Sequence, residues 1–109
     1  MIKYKLIKNA KKIDNYLLGF LKKQKKSLLL VPMKYGVISG GKKIRSKIIM
    51  DTGKIFNIDE KKLISLCAAV ECIHSYSLIH DDLPCMDNDS FRRGKLSTHK
   101  KFNEAQAIL

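Results

Sequence analysis

The sequence predicts an all-α fold, and two observations support this. Apolar residues recur at steps of three and four along most of the 109-residue chain, which is the spacing of one helix face. No segment alternates apolar and polar residues clearly enough to predict a strand. A hydrophobic content of 45% supplies a core and excludes a wholly disordered chain. We therefore expect one small helical domain, or part of a larger one.

The first predicted helix runs from about Leu6 to Lys23 and is amphipathic. Its apolar face consists of Leu6, Ile7, Ala10, Ile13, Leu17, Leu18 and Leu21, with lysines on the other face. A terminal helix packed on the core is the favoured interpretation, and a helix lying on an anionic membrane surface is the alternative. The next segment, Ser27 to Tyr35, fits a short strand or part of a helix, and Pro32 interrupts it.

A second predicted helix spans Ile44 to Phe56, with Gly53 weakening its last turn. A third begins after Asp59, which can serve as its N-cap. From Leu63 to Ile79 this helix is apolar almost all round, which is typical of a helix buried centrally in its fold.

Pro84 ends or bends the third helix. A polar loop follows from Asn88 to Lys95, closed by Gly94. Thr98 to Leu109 then returns to a helical pattern that carries no stop signal at its end. We therefore expect the sequence to be a truncated part of a larger fold.

The charge and the cysteines limit the classes of function. A net charge of +12 indicates either a lysine-rich solvated surface or a field that attracts nucleic acid, a membrane or a phosphorylated small molecule. Three cysteines without paired spacing argue against a disulfide framework and a cysteine zinc site. Lysines interrupt every N-terminal apolar run, and Leu28–Val31 is too short to span a bilayer. We expect a cytoplasmic protein without stable membrane insertion.

Carboxylates are crowded within residues 81–87, where Asp81, Asp82 and Asp87 lie at the end of the apolar helix. Such groups repel one another unless a hard cation such as Mg²⁺ neutralises them, and Mg²⁺ commonly recruits substrate phosphates. Arg92 and Arg93, a few residues later, can grip phosphate bidentately. The pattern predicts a Mg²⁺-dependent diphosphate site, and a solvated acidic turn is the alternative.

A Ca²⁺ loop starting at Asp87 is excluded. Phe91 stands at its fifth position and Thr98 at its twelfth, where an oxygen ligand and a bidentate Glu are needed.

His74, Ser77 and Asp81 form a polar stripe on the apolar helix, since they fall within about 60° of one another around a helix axis. His74 is therefore either a hydrogen-bonded core histidine or a ligand-binding residue, and both interpretations remain open.

A glycine–lysine segment is the second candidate site. It reads Gly40-Gly41-Lys42-Lys43-Ile44-Arg45. Glycines let backbone N–H groups approach an anion, and Lys42 and Arg45 lie three residues apart on one side of the helix that follows. Gly36 to Lys42 also fits the start of a nucleotide-binding P-loop, but Lys43 stands where that motif needs Ser or Thr. We therefore reject the P-loop.

Taken in order, three motifs closely resemble those of the trans-isoprenyl diphosphate synthases, and among them the bacterial farnesyl or geranylgeranyl diphosphate synthases. They are Gly40–Arg45, the segment Glu71–Asp87 and Arg92-Arg93-Gly94-Lys95. The resemblance runs from about Ile13 to the last residue. It covers about the first third of a family member, so that residues 1–109 would be the N-terminal part of a single polyprenyl synthetase domain. It implies an isoprenoid-synthase-type helical fold with a central active-site cavity.

The resemblance also implies residue roles. Asp81 and Asp87, supported by Asp82, would hold Mg²⁺ on an allylic diphosphate, and Arg92 would bind that diphosphate. Isopentenyl diphosphate would be held by Lys42, Arg45, His74 and Arg93. Ionisation of the allylic substrate and attack by isopentenyl diphosphate would give a head-to-tail condensation. Tyr76 and Ser77 stand where the family controls chain length.

Departures from the family pattern define the competing hypotheses. Ser46, Leu96 and Asn103 replace a usual Pro, Pro and Gly, and no second aspartate-rich motif is present. The chain is therefore expected to be an inactive prenyltransferase piece, half of a split enzyme completed by a C-terminal chain, or a non-enzymatic remnant that binds diphosphate. A homodimer is also open. A nucleic-acid-binding module is disfavoured, because no basic face with interleaved aromatic residues is visible.

Overall fold

The computed structural model describes all residues 1–109 as six helices and one antiparallel hairpin. The helices are α1 (Ile2–Lys22), α2 (Leu30–Val37), α3 (Ile44–Ile55), α4 (Glu60–Asp81), α5 (Thr98–Lys101) and α6 (Glu104–Ile108); the strands are β1 (Phe91–Arg92) and β2 (Lys95–Leu96). The all-α prediction is confirmed as a fold class.

The core lies between α1, α3 and α4. Its fully packed members are Ile13, Leu17, Met50, Leu63, Cys67 and Ala68. The α1 residues among them belong to the apolar face predicted from the three-and-four spacing. Gly53 of α3 allows close approach to α4, because a Cβ there would lie 2.2 Å from a methyl carbon of Leu63. This glycine is therefore a packing position as well as a weak helix former.

Within residues 1–109, helix α4 buries one face and leaves the other exposed. Leu63, Cys67, Ala68, Glu71 and Ser75 form the buried face. On the other side, Leu66 is 52% exposed and Ile73 68% exposed. By length and composition α4 is also the one helix that could cross a membrane, a test that core helices of soluble proteins also pass.

Two local uncertainties are settled by the structure. The segment around Leu28–Val31 leads into helix α2, and Pro32 lies in its first turn, where a missing N–H costs nothing. Asp59 does occupy the N-cap position of α4, but its side chain makes no capping hydrogen bond, which corrects that part of the prediction.

The polar loop after α4 contains a hairpin that the sequence did not predict. Phe91 pairs with Leu96, and Arg92 pairs with Lys95. The two turn residues, Arg93 and Gly94, have positive φ angles of 51° and 75°, as two-residue hairpin turns require.

The predicted C-terminal helix is broken into α5 and α6. Asn103 caps α6, because its side-chain oxygen accepts a hydrogen bond from the Gln106 N–H at 2.8 Å.

Candidate functional site

A glycine turn joins α2 to α3 and receives a guanidinium group. Gly40 and Gly41 have φ angles of +86° and +89°, and a Cβ on Gly41 would lie 2.6 Å from an Arg93 side-chain nitrogen. Arg93 Nη1 donates to the Gly40 carbonyl at 3.0 Å and to Ser39 Oγ at 3.2 Å. The backbone conformation at position 41 therefore favours glycine, and a Cβ there would also displace the Arg93 guanidinium from the turn.

This turn forms one wall of a cleft of about 360 Å³, which we call the cationic cleft. Lys42, Arg45, His74 and Arg93 all line it. The structure thus brings together the four residues that the resemblance assigns to isopentenyl diphosphate. Concentrated positive charge of this kind attracts an anion such as a diphosphate.

Arg45 and His74 face each other across the cationic cleft. Arg45 Nη1 lies 3.3 Å from His74 Nε2. A guanidinium group can only donate, so Nε2 accepts and the proton of neutral His74 lies on Nδ1. Desolvation, followed by the charge of Arg45, lowers the pKa of His74 from its ordinary value of 6.5. The charge of Glu71 opposes that shift of the pKa, whereas Arg93 and Arg92 add to it.

Glu71 is a site residue to which sequence reasoning gave no role. It lines the cationic cleft, yet it is only 5% exposed. Its Oε1 accepts from Ser46 Oγ at 2.7 Å and from the Ser46 N–H at 3.3 Å. A carboxylate inside an otherwise apolar helix was the available signal, because buried acids almost always have partners.

Lys43 connects the glycine turn to helix α1. Its ammonium group is buried and lies 3.0 Å from Asp14 Oδ1 of α1, so it ties the glycine turn to the first helix. Of the two lysines in the glycine–lysine segment, Lys42 is the exposed one.

Asp82 and Arg92 form a bidentate ion pair. Asp82 is 2% exposed, and its two carboxylate oxygens accept from Arg92 Nε at 2.9 Å and from Arg92 Nη2 at 2.8 Å. The hydrogen bond to Asp82 raises the pKa of Arg92 above its already high value. Both oxygens of Asp82 are therefore engaged, and Arg92 is held at the end of α4.

Asp81 and Asp87 lie in the same tight turn, which we call the aspartate turn (Asp81–Asp89). The Asp87 N–H donates to the Asp81 carbonyl at 2.8 Å, and the Asp89 N–H donates to the Asp82 carbonyl at 3.0 Å. No three His, Cys, Asp or Glu side chains converge into a metal-binding group. Two carboxylates nevertheless suit Mg²⁺, which is commonly held by one or two carboxylates together with waters and substrate phosphates.

The two residues assigned to chain length differ in their surroundings. Tyr76 lines an apolar cavity of about 210 Å³ beside α6, and its ring lies 4.3 Å from that of His80. Ser77 does not line this cavity, and its hydroxyl donates to the His74 carbonyl at 2.7 Å. Only Tyr76 therefore faces apolar space.

Known proteins have sequences and folds similar to those of this chain. The polyprenyl synthetase family model matches residues 26–109. The chain is 56% identical over 84 residues to a farnesyl diphosphate synthase of Buchnera aphidicola, covering 77% of this chain and 30% of that one. Identity is 53% over 77 residues to a farnesyl diphosphate synthase of Escherichia coli, covering 71% of this chain and 26% of that one.

The fold is similar to the crystal structure of a geranyltransferase from Legionella pneumophila. The TM-score is 0.91 and the identity 41%, over 97% of this chain and 38% of that one. The chain thus spans less than a third of the curated relatives named above.

Proposed function

The chain belongs to the polyprenyl synthetase family, and we propose that it supplies the diphosphate-binding part of a Mg²⁺-dependent prenyltransferase. The proposed reaction is the head-to-tail condensation of isopentenyl diphosphate with an allylic diphosphate, as in a farnesyl or geranylgeranyl diphosphate synthase. One observation carries the proposal: Lys42, Arg45, His74 and Arg93 converge on a single cleft beside a glycine turn.

The cationic cleft is the proposed site for isopentenyl diphosphate. Lys42, Arg45 and Arg93 would neutralise its phosphates, and the fixed guanidinium groups suit bidentate binding. His74 would provide a further hydrogen-bond donor. Because an anion favours the charged imidazole, bound diphosphate would raise the pKa of His74 and oppose the desolvation that lowers it.

The aspartate turn is the proposed site for the allylic diphosphate. Asp81 and Asp87 would hold Mg²⁺, which when bound supplies charge that stabilises the leaving diphosphate. Arg92, kept in place by Asp82, would add a guanidinium to the same group. Tyr76 would limit the length of the growing chain at the apolar cavity that it lines.

Turnover is proposed to need more of the fold than these 109 residues. The relatives are more than twice as long, and α4 exposes an apolar face that includes Leu66 and Ile73. We propose that this face packs against further helices, either of a complementing C-terminal chain or in a homodimer. By itself the chain would bind diphosphate without forming product. The proposed location is cytoplasmic.

Titration with inorganic pyrophosphate, with and without Mg²⁺, tests the proposal on the 109-residue chain. We expect binding that Mg²⁺ strengthens. Arg45→Gln should weaken binding under both conditions by about tenfold, since a hydrogen bond to a charged group contributes about 1.5–3 kcal/mol. Asp81→Ala should remove the Mg²⁺-dependent part only. Isothermal titration calorimetry measures both effects.

Lys61→Gln is the matched control, because it removes one positive charge from an exposed residue far along α4 from the cleft. It should bind as the unmodified chain does. If Lys61→Gln and Arg45→Gln lower the affinity equally, the anion is responding to net charge alone and the proposed site is wrong. Equal Mg²⁺ dependence with and without Asp81 would refute the metal assignment.

A further inference from the structure

Helix α3 begins without an N-cap of its own. Lys43 occupies the N-cap position in a left-handed conformation and makes no side-chain capping bond. The N–H groups of a first helical turn have no acceptor within the helix. Ser46 lies in that turn, and its N–H and hydroxyl both donate to Glu71 Oε1 of α4. Glu71 thus caps α3 from a neighbouring helix, where the helix dipole also favours a carboxylate.

A third contact fixes the same turn. The Ser46 carbonyl accepts from the thiol of Cys67 at 3.4 Å, and Cys67 lies one helical turn before Glu71. All three residues are buried. These contacts therefore fix the position of the first turn of α3 along α4.

The fixed position of the first turn of α3 also places Arg45 opposite His74. Arg45 immediately precedes Ser46, and His74 follows Glu71 by three residues on the same side of α4. We propose that Ser46 and Glu71 are positioning residues, whose hydrogen bonds hold Arg45 opposite His74 for the binding of a diphosphate. What the pair binds rests on the proposed function, whereas how the pair is held does not.

The same bonds have an electrostatic consequence. Glu71 is the one carboxylate among the residues that line the cationic cleft. Left without a partner, it would compete with an anionic ligand for Arg45. Bound to Ser46 and the start of α3, it is withheld from that guanidinium.

The pKa of His74 depends on the position of Arg45, so the titration of His74 tests whether Arg45 is held in place. The charged groups acting on it are Arg45 of α3, Glu71 of its own helix, and Arg92 and Arg93 of the hairpin region. Ser46→Ala removes the hydroxyl and lets Arg45 move away, so the pKa of His74 should rise. Arg45→Gln should shift the pKa in the same direction, because it removes the same cation. Both shifts can be measured in the ligand-free chain by NMR of the imidazole.

The test compares Ser46→Ala with Ile13→Val, which disturbs the same core without touching the first turn of α3. In Ser46→Ala we expect the titration midpoint of His74 to move to higher pH and the affinity for pyrophosphate to fall several-fold. In Ile13→Val we expect neither change. Glu71→Gln retains an oxygen that accepts from Ser46, so it should keep most of the affinity that Glu71→Ala loses.

If the titration midpoint of His74 is unchanged in Ser46→Ala, Ser46 does not position Arg45, and the inference is overturned whether or not pyrophosphate binds. Should Ser46→Ala not fold, Ser46→Cys decides by the same criterion, because a thiol fills the space but donates weakly. If the unmodified chain does not bind pyrophosphate, the proposed function fails, and the NMR titration still decides the positioning role.

Discussion

The cationic cleft and the aspartate turn hold their charged groups in different ways. In the cleft, Arg93 is bonded to the Gly40 carbonyl, Arg45 faces His74, and Lys43 is paired with Asp14. In the aspartate turn, only Asp82 has a cationic partner. Arg93, Arg45 and Lys43 are each held by a separate contact, whereas the turn depends on one partly buried ion pair, in which Arg92 is 30% exposed.

The hairpin turn connects the two regions. Arg92 points to Asp82, and the next residue, Arg93, reaches the glycine turn. The hairpin therefore places one guanidinium group in each region. The difference teaches that neighbouring aspartates can have different environments: Asp82 is engaged by Arg92, whereas Asp81 and Asp87 have no cationic partner and remain the proposed ligands.

Replacing Asp82 should have the largest effect on stability. Asp82→Ala leaves Arg92 without its partner at a site where the carboxylate is 2% exposed. Because Arg92 is 30% exposed and water can partly solvate it once unpaired, loss of its two charged hydrogen bonds should cost about 2–3 kcal/mol in the free energy of unfolding. Urea unfolding followed by circular dichroism measures the loss.

Asp87→Ala sharpens the comparison, because it removes the same charge from an exposed position in the same turn. It should change the free energy of unfolding by no more than about 0.5 kcal/mol, yet weaken Mg²⁺-dependent pyrophosphate binding. Similar destabilisation by the two variants would show that the two aspartates do not differ in this way.

The two glycines of the cleft give a second, smaller contrast. Both have positive φ, so alanine at either position costs about 1 kcal/mol in backbone strain. A Cβ at position 41 meets the Arg93 guanidinium, whereas one at position 40 meets nothing within 4 Å. Gly41→Ala should therefore cost about 1 kcal/mol more than Gly40→Ala and also weaken pyrophosphate binding.

Thermal unfolding and pyrophosphate titration of both glycine variants measure this contrast. If the two variants had equal stability and equal affinity for pyrophosphate, the contact between Arg93 and the glycine turn would contribute to neither.

The main helices could be predicted from the sequence because their buried faces repeat at helical spacing. Ile13 and Leu17 are predicted and observed in the core, and Asp59 precedes α4 as predicted. Lys42 and Arg45 could also be named, because glycine and cationic residues cluster there in sequence, whereas His74 and Arg93 were grouped with them only through the family resemblance. Their assigned roles remain predictions.

Other features depend on tertiary contacts that the sequence pattern does not contain. The apolar composition of α4 predicts a helix at the centre of its fold, but composition does not reveal which neighbours these 109 residues supply, and Ile73 is exposed. The hairpin is too short for an alternating pattern to be visible. The Glu71–Ser46 bond joins residues 25 positions apart, so no local pattern indicates it.

The smallest predicted effect concerns the pH dependence of stability, and it tests whether the cationic cleft desolvates His74. The pKa of His74 is lowered from 6.5 in the folded chain, so between 6.5 and that lower value the unfolded state binds more protons. Stability should therefore fall as the pH is lowered through this window. One proton limits the slope to about 1.4 kcal/mol per pH unit.

His74→Gln should flatten the pH profile in that window, because it removes a group that resists protonation in the fold. Urea unfolding at a series of pH values from neutral downwards measures the slope for each protein, and the other two histidines are common to both. Coincident profiles would show that His74 titrates as it does in water. Neither desolvation nor a nearby Arg45 charge would then be acting on the imidazole, and the cationic cleft would be open to solvent at His74.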